Sequence, residues 1–146
     1  MANKTYLNWT DVDNSIESIC NKLKDKKFGT IVGLARGGMI PAAILSYKLD
    51  CKNLQQLGIS TRDLNKLRYY STPMNLKGDV LVVDDINDSG MTFTMVERYL
   101  DLIFANNEDV GTITYCSLYK RYNTRRPDAV YGSFIDNDNW LVFPWD

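Results

Sequence analysis

The pattern of hydrophobic and polar residues predicts two units in which a buried strand is followed by a turn and a helix. The first unit runs from the apolar strand Thr30–Ala35, through a glycine turn, to a helix over Met39–Leu49. The second runs from the strand Asp79–Asp84, through the polar loop Asp85–Gly90, to an amphipathic helix over Thr92–Asn106. This order is typical of parallel sheets, in which a helix carries the chain back between two strands.

The remaining elements fit the same architecture. A first helix is predicted with Thr10 or Asp11 as its N-cap, because apolar residues then recur at helical spacing. Further strands are predicted over the ranges Leu57–Thr61, Thr112–Tyr119 and Ala129–Ile135. We therefore expect an α/β fold with a mostly parallel sheet flanked by helices on both faces. Ligands bind such folds beyond the carboxyl ends of the strands.

The segment Arg62–Pro73 fits this scheme poorly, since it is polar and shows no clear period. A long loop inside a compact domain is often a lid or a binding loop. An exposed β-hairpin is the alternative, and the two interpretations are compatible. Because no repeat or linker divides the sequence, we treat residues 1–146 as a single domain.

Composition restricts the chemistry of the protein. The 146 residues include 17 Lys plus Arg, 18 Asp plus Glu and no histidine, which gives a net charge of −1. Ser-His-Asp and Cys-His nucleophile systems, histidine zinc sites and histidine proton shuttles are thereby excluded. The near-neutral charge argues against general nucleic-acid binding. The single basic cluster is interpreted as a solvated loop and consists of Lys120, Arg121, Arg125 and Arg126.

Cysteine usage and hydropathy point to a cytoplasmic protein that does not associate with membranes. The three cysteines are widely spaced and form no C-x-x-C pair, so we expect buried thiols in a reducing compartment. The sequence starts without an apolar leader, and no segment approaches 18 apolar residues.

The most informative segment is Val80–Thr92. Asp84, Asp85 and Asp88 lie within five residues directly after a buried strand, where their mutual repulsion makes a purely structural role unfavourable. The next four residues, Ser89–Thr92, lead into a helix N-terminus, whose free N–H groups, hydroxyls and dipole suit a phosphate monoester. The segment therefore offers acceptors for sugar hydroxyls beside a phosphate site.

This segment resembles the phosphoribosyl-pyrophosphate (PRPP) binding signature of type I phosphoribosyltransferases. The resemblance implies the fold of that family, with a small hood or lid that would occupy about residues 54–76. Asp84 and Asp85 would bind the ribose hydroxyls, directly or through Mg²⁺. The 5′-phosphate would be surrounded by Asp88, Ser89, Gly90, Met91 and Thr92.

A second motif is similar to the pyrophosphate loop of the same family. It consists of Ala35, Arg36, Gly37 and Gly38. In the family a basic side chain and glycine amides bind the leaving group here. The resemblance also implies a non-proline cis peptide at Ala35-Arg36.

The C-terminal part resembles the small bacterial and archaeal phosphoribosyltransferases for 6-oxopurines, whose chains end in Pro-Trp and an acidic residue. By that resemblance residues 136–146 contribute to the base site. Lys120 would donate to the purine 6-oxygen, Trp140 would stack on the base, and the Leu141 carbonyl would contact the ring edge.

The resemblance implies a salvage enzyme that transfers the 5-phosphoribosyl group from PRPP to hypoxanthine, guanine or xanthine with Mg²⁺ as cofactor. Asp88 would accept the proton from purine N7, the Arg62–Pro73 segment would close over the site, and the protein would be a homodimer or homotetramer. One alternative is a catalytically silent PRPP-binding regulatory module. Another is a transferase for a different base, although Lys120 disfavours adenine. A response-regulator receiver domain is disfavoured, because its acidic pair follows the first strand.

Overall fold

The computed structural model describes residues 3–60, 68–71 and 75–146. Within these residues the chain forms eight strands and three helices. In chain order they are β1 Lys4–Tyr6, α1 Trp9–Leu23, β2 Thr30–Ala35, α2 Met39–Lys48, β3 Leu54–Ser60, β4 Arg68–Ser71, β5 Gly78–Asn87, α3 Met91–Phe104, β6 Val110–Arg121, β7 Val130–Ile135 and β8 Trp140–Val142. None of the helices in the described part of the chain is long and apolar enough to cross a membrane.

Six strands form one sheet in the order β4-β3-β2-β5-β6-β7. All neighbours are parallel except β3 and β4, which confirms the mostly parallel sheet. From β2 the chain continues to β3 on one side, whereas from β5 it continues to β6 on the other. The order therefore reverses between β2 and β5, and this switch point is where open α/β sheets bind their ligands.

Helices cover both faces of the sheet, as the continuous apolar strands predict. On β5, Leu81 and Val83 face a core shared with α1 and α2, while Val80 and Val82 face a core shared with α3. Alternate residues of a strand point to opposite faces, so a strand covered on both sides must be apolar at every position.

Several element boundaries differ from the sequence prediction, and two of these differences have a clear physical reason. The N-cap of α1 is Asn8 and not Thr10 or Asp11: its side chain accepts from the Asp11 N–H, and the Asp11 carboxylate accepts from the Asn8 N–H. The predicted loop at Asp85 is also wrong in part, because β5 continues to Asn87 along β6. The neighbouring strand β6 is longer, and its backbone pairs with β5 as far as Asn87. The polar side chains of this segment give no indication of that pairing.

A small second sheet holds the C-terminal segment in place. Strands β1 and β8 pair in parallel, with Thr5 opposite Leu141. The sequence pattern does not predict β1, which has only three residues. The pairing places residues after β7 beside the carboxyl ends of the main strands, where Leu141 and Phe143 join the core under α1 and α2.

The segment expected to form the hood contains part of the main sheet. Residues 54–60 form β3, which pairs with β2, and residues 68–71 form the antiparallel edge strand β4. This agrees with the hairpin interpretation. Residues 61–67 and 72–74 lie outside the described residues, so closure of the Arg62–Pro73 segment stays a prediction.

The Asn8 cap gives a first test of the fold. Asn8→Ala removes the acceptor for the Asp11 N–H, so we expect the free energy of unfolding to fall by about 1 kcal/mol. Asn21→Ala, at an exposed position of the same helix, should change it by less than about 0.5 kcal/mol. Urea denaturation measures both, and equal losses would contradict the cap.

Candidate active site

A cavity of about 1090 Å³ opens at the carboxyl ends of β2 and β5. Most of the residues singled out from the sequence line it together. These are Ala35, Arg36, Gly37, Asp84, Asp85, Asp88, Ser89, Gly90, Thr92, Trp140 and Leu141. Gly38, Met91 and Lys120 are not in the lining. The phosphate-type turn, the acidic pair and the C-terminal aromatic segment therefore share one site.

The loop after β2 lies directly against β5. Its Ala35-Arg36 peptide is cis, as the resemblance predicts. The Gly38 N–H donates to the Leu34 carbonyl at 2.8 Å, so the expectation that this amide binds pyrophosphate is not supported by its geometry. The Gly37 N–H makes no hydrogen bond to a described residue and remains available to a ligand.

Asp84 and Asp85 place two neighbouring carboxyl groups in the lining of the cavity. The Asp85 N–H donates to Asp84 Oδ1 and the Ile86 N–H donates to Asp85 Oδ1, both at 2.8 Å. Desolvation raises the pKa of Asp84 well above its usual value, and the neighbouring Asp85 raises it further. Desolvation also raises the pKa of Asp85. The site therefore holds negative charge at a cost that a bound cation would offset.

This donor set fits Mg²⁺. Hard carboxylate oxygens are its preferred ligands, and it is usually held by one or two carboxylates together with substrate phosphates. Among the described residues no cluster of three or more Asp, Glu, Cys or His side chains is arranged to hold a metal ion. Asp84 and Asp85 can therefore supply part of a coordination shell, and a phosphorylated substrate would have to supply more.

The turn between β5 and α3 has a geometry that can accommodate an anion. Gly90 has φ 89° and is the N-cap of α3, so the N-cap residue itself has no side chain to cap this helix. A Cβ at this position would also meet Arg126 and Thr124 at 2.9–3.0 Å, so the turn requires glycine. Ser89 Oγ accepts from the Met91 N–H at 3.2 Å. The N–H groups of Thr92 and Phe93 make no hydrogen bond to a described residue and can donate to a ligand.

The loop after β6 holds this turn from behind. Asn87 is buried, and its side chain donates to the Arg126 carbonyl at 2.9 Å and accepts from Thr124 Oγ1 at 2.7 Å. The Arg125 N–H donates to the Ser89 carbonyl at 2.9 Å. The sequence pattern does not single out Asn87, because its only signal is that it is a polar residue within the acidic signature.

The basic cluster is not simply a solvated loop. Arg126 pairs with Glu97 at 2.7 Å and with Asp128 at 3.1 Å. Arg121 is buried in the cavity wall, and its Nε–H donates to Asp88 Oδ1 at 2.6 Å. The solvated-loop prediction is therefore wrong for these two arginines, because their partners are not apparent from the local run of basic residues.

One side of the cavity is formed by the C-terminal segment. Trp140 is 63% exposed, so a face of its ring is open to a ligand. The Trp140 N–H and the Val142 carbonyl bond to the backbone on either side of β1. In a parallel pair of strands, only every second residue forms backbone hydrogen bonds with the neighbouring strand. The N–H and C=O groups of Leu141 therefore point away from β1. Phe143 and Trp145 stack behind them at 4.9 Å between ring centroids.

Lys120 is not brought to the cavity. Its Nζ lies 3.5 Å from the Pro127 carbonyl and 4.8 Å from the centre of the Tyr131 ring. Its neighbour Arg121 lies in the lining instead. A donor role of Lys120 toward a purine stays a prediction of the resemblance, and this arrangement does not support it.

The two glycines of the loop after β2 should respond differently to substitution. A Cβ on Gly38 would overlap backbone oxygens of Val83 and Leu34, which cannot rotate away, so Gly38→Ala should cost about 1–3 kcal/mol of stability. A Cβ on Gly37 would meet only the Asp85 carboxylate. We expect Gly37→Ala to keep the fold and lose activity. Urea denaturation measures the stability of both variants, and turnover assays measure their activity. Equal destabilisation by the two substitutions would contradict the expected difference.

The half-buried acidic pair is expected to lower the stability of the metal-free protein. Because the folded-state pKa of Asp84 is raised, its destabilising effect on the metal-free protein grows as pH rises toward and through that value. Asp84→Asn should therefore raise Tm at pH 7 in EDTA, by roughly 2–4 °C for each kcal/mol relieved, and weaken the Tm dependence on pH. Exposed Asp13→Asn is the control, and a lower Tm for Asp84→Asn would contradict the prediction.

The chain is similar to two xanthine-guanine phosphoribosyltransferases. A xanthine-guanine phosphoribosyltransferase of Desulfotalea psychrophila is 26% identical over 149 residues, covering 98% of this chain and 87% of the relative. The corresponding protein of Gluconobacter oxydans is 28% identical over 84% of this chain and 71% of its own.

Solved structures show the same fold. A purine phosphoribosyltransferase from Pyrococcus horikoshii superposes with a TM-score of 0.81 at 28% identity, covering 99% of this chain and 94% of the other. A Helicobacter pylori xanthine-guanine-hypoxanthine phosphoribosyltransferase shares the fold with a TM-score of 0.74 at 22% identity, covering 99% of this chain and 93% of the other. The family model of the phosphoribosyl transferase domain matches residues 4–146, and the chain therefore belongs to that family.

Proposed function

We propose that the protein is a purine salvage enzyme that transfers the 5-phosphoribosyl group of PRPP to a 6-oxopurine. The observation that carries this proposal is that a phosphate-type turn, an acidic pair and an exposed tryptophan line the same cavity. Each part suits one part of the reactants: phosphate, ribose and base. Family membership and the purine enzymes among the relatives support the same reaction.

In this proposal PRPP lies across the switch point of the sheet. Its 5′-phosphate occupies the Ser89–Thr92 turn, where helix amides and hydroxyls donate to it. Its pyrophosphate lies against Arg36 and the free Gly37 N–H. Asp84 and Asp85 receive the ribose hydroxyls between these two anion sites.

The reaction needs a leaving group stabilised and a purine deprotonated. Purine N9 forms a bond to C1′, the bond from C1′ to the pyrophosphate oxygen breaks, and pyrophosphate departs with that electron pair. Arg36 and the Gly37 amide stabilise the departing charge. Asp88 receives the proton from purine N7, and its position in the same cavity wall as the phosphate turn and Trp140 supports this role.

Mg²⁺ is the proposed cofactor, held at Asp84 and Asp85 with the substrate, and when bound it supplies charge neutralisation for the leaving pyrophosphate. The three cysteines are free thiols, which supports a reducing, cytoplasmic location. Exposed side chains such as Tyr47 and Leu102 support assembly into a homodimer or homotetramer.

The relatives named for xanthine and guanine make these two bases the first acceptors to test. Trp140 offers stacking to any purine, and the backbone of Leu141 offers groups for the ring edge.

The proposed function predicts nucleotide formation in a defined assay. The protein is incubated with PRPP, Mg²⁺ and hypoxanthine, guanine or xanthine, with adenine and uracil as comparison bases. We expect at least one 6-oxopurine to yield its nucleoside monophosphate and pyrophosphate, and Asp88→Asn to lower kcat by about 10²-fold or more with PRPP affinity retained.

Asp101→Asn, on the exposed side of α3, is the matched control and should keep full activity. Binding of PRPP without conversion of any base would favour the regulatory module instead. A near-normal rate for Asp88→Asn would remove Asp88 as the base while leaving the transferase function standing.

A further inference from the structure

Arg121 is only 7% exposed. Within the described part of the chain it is the one charged residue that is buried. It ends β6 and lines the same cavity as Asp88. The reaction described above gives it no step. A buried guanidinium is costly unless its donors are paired, so its position requires an explanation.

The guanidinium bridges two walls of the cavity. Its Nε–H donates to Asp88 Oδ1 at 2.6 Å, and Nη1 donates to the Asn137 carbonyl at 2.7 Å. Asp88 belongs to the turn after β5, and Asn137 precedes β8. Because the donors of a guanidinium are fixed in one plane, the two contacts set the direction of both acceptors relative to each other.

Asp88 needs such a restraint. Its side chain is 59% exposed and would otherwise rotate in solvent. Arg121 occupies Oδ1, and Oδ2 makes no hydrogen bond to a described residue. One carboxylate oxygen is thus fixed by the protein and the other is left for a ligand in the cavity.

The second contact connects this carboxylate to the base-binding segment. Asn137 also accepts, through Oδ1, from the Asn139 N–H at 2.9 Å, and the Asn139 side chain donates to Thr5 at 3.0 Å. Trp140 follows directly. These contacts therefore hold the Asp88 carboxylate in a fixed position relative to the segment that carries Trp140, the proposed stacking surface.

We propose that Arg121 is a positioning residue that directs Asp88 Oδ2 toward the purine held by Trp140 and Leu141. This inference rests on the proposed transferase function. Arg121 acts through Asp88: with the carboxylate fixed, the purine proton is transferred at a set distance, and a displacement of about 1 Å in such a group can cost about 10²-fold in rate.

The first test compares kcat with KM. Arg121→Lys keeps a positive charge but cannot reach both acceptors in one plane, and Arg121→Met keeps the stem alone. We expect kcat to fall roughly 10- to 100-fold in both, with KM for PRPP within about 3-fold of the parent. Exposed Arg98→Met is the matched control and should change neither constant.

A double-mutant cycle distinguishes positioning from a general structural role. In Asp88→Asn the new amide oxygen still accepts from Arg121, but the side chain cannot take the proton. If Arg121 acts through the base, then Arg121→Lys in the Asp88→Asn background should lower kcat by less than about 2-fold further. Losses that multiply would overturn the inference, and so would a rise in KM for PRPP equal to the fall in kcat.

The outcomes separate this inference from the proposed function. Absence of nucleotide formation by the unmodified protein rejects the function, and this inference with it. Nucleotide formation with unchanged kcat in Arg121→Lys and Arg121→Met rejects only this inference. Thermal melting checks each variant, and if Arg121→Met does not fold, the decision rests on Arg121→Lys and its cycle with Asp88→Asn.

Discussion

The parallel pairing of β2 with β5 is the constraint on which the site depends. Because the two strands run side by side, their carboxyl ends meet, and the loops that follow them leave the sheet at the same edge. Gly38 lies against the backbone of β5, and Gly37 lies against Asp85. Backbone atoms leave no room for a side chain at Gly38, whereas the atoms nearest to a side chain at Gly37 belong to the Asp85 carboxylate. The glycine loop after β2 and the acidic pair are therefore neighbours because of strand order.

The electrostatics of the site are unfavourable to the empty protein. Asp84 and Asp85 are placed where burial raises the pKa values of both, and the neighbouring Asp85 raises that of Asp84 further. The open end of α3 and the free Gly37 amide add positive potential on both sides of the pair. Such an arrangement loses stability without a cation or phosphorylated ligand and regains it when one binds, which is the usual price of a preorganised site.

Long-range contacts explain where prediction from the sequence failed. The sequence predicts the main strands and helices because the spacing of hydrophobic residues is a local property. The strand Thr30–Ala35, for example, forms as predicted. The acidic signature was found for the same reason, since its residues are consecutive. Strand β1, the extension of β5 to Asn87, and the pairing of Arg121 with Asp88 were missed. In each case the partner is distant along the chain, and no local pattern encodes it.

By itself the sequence determined the layered α/β architecture, the two strand-turn-helix units and the identity of the acidic and glycine loops, because each is specified by neighbouring residues. Only the tertiary structure decided which side chain faces the cavity. Lys120 and Arg121 are adjacent and both basic, yet Arg121 alone lines the site. Successive residues of a strand point to opposite faces, and which face meets the cavity is fixed by the register of β6 against β5 and β7, a property of the assembled sheet.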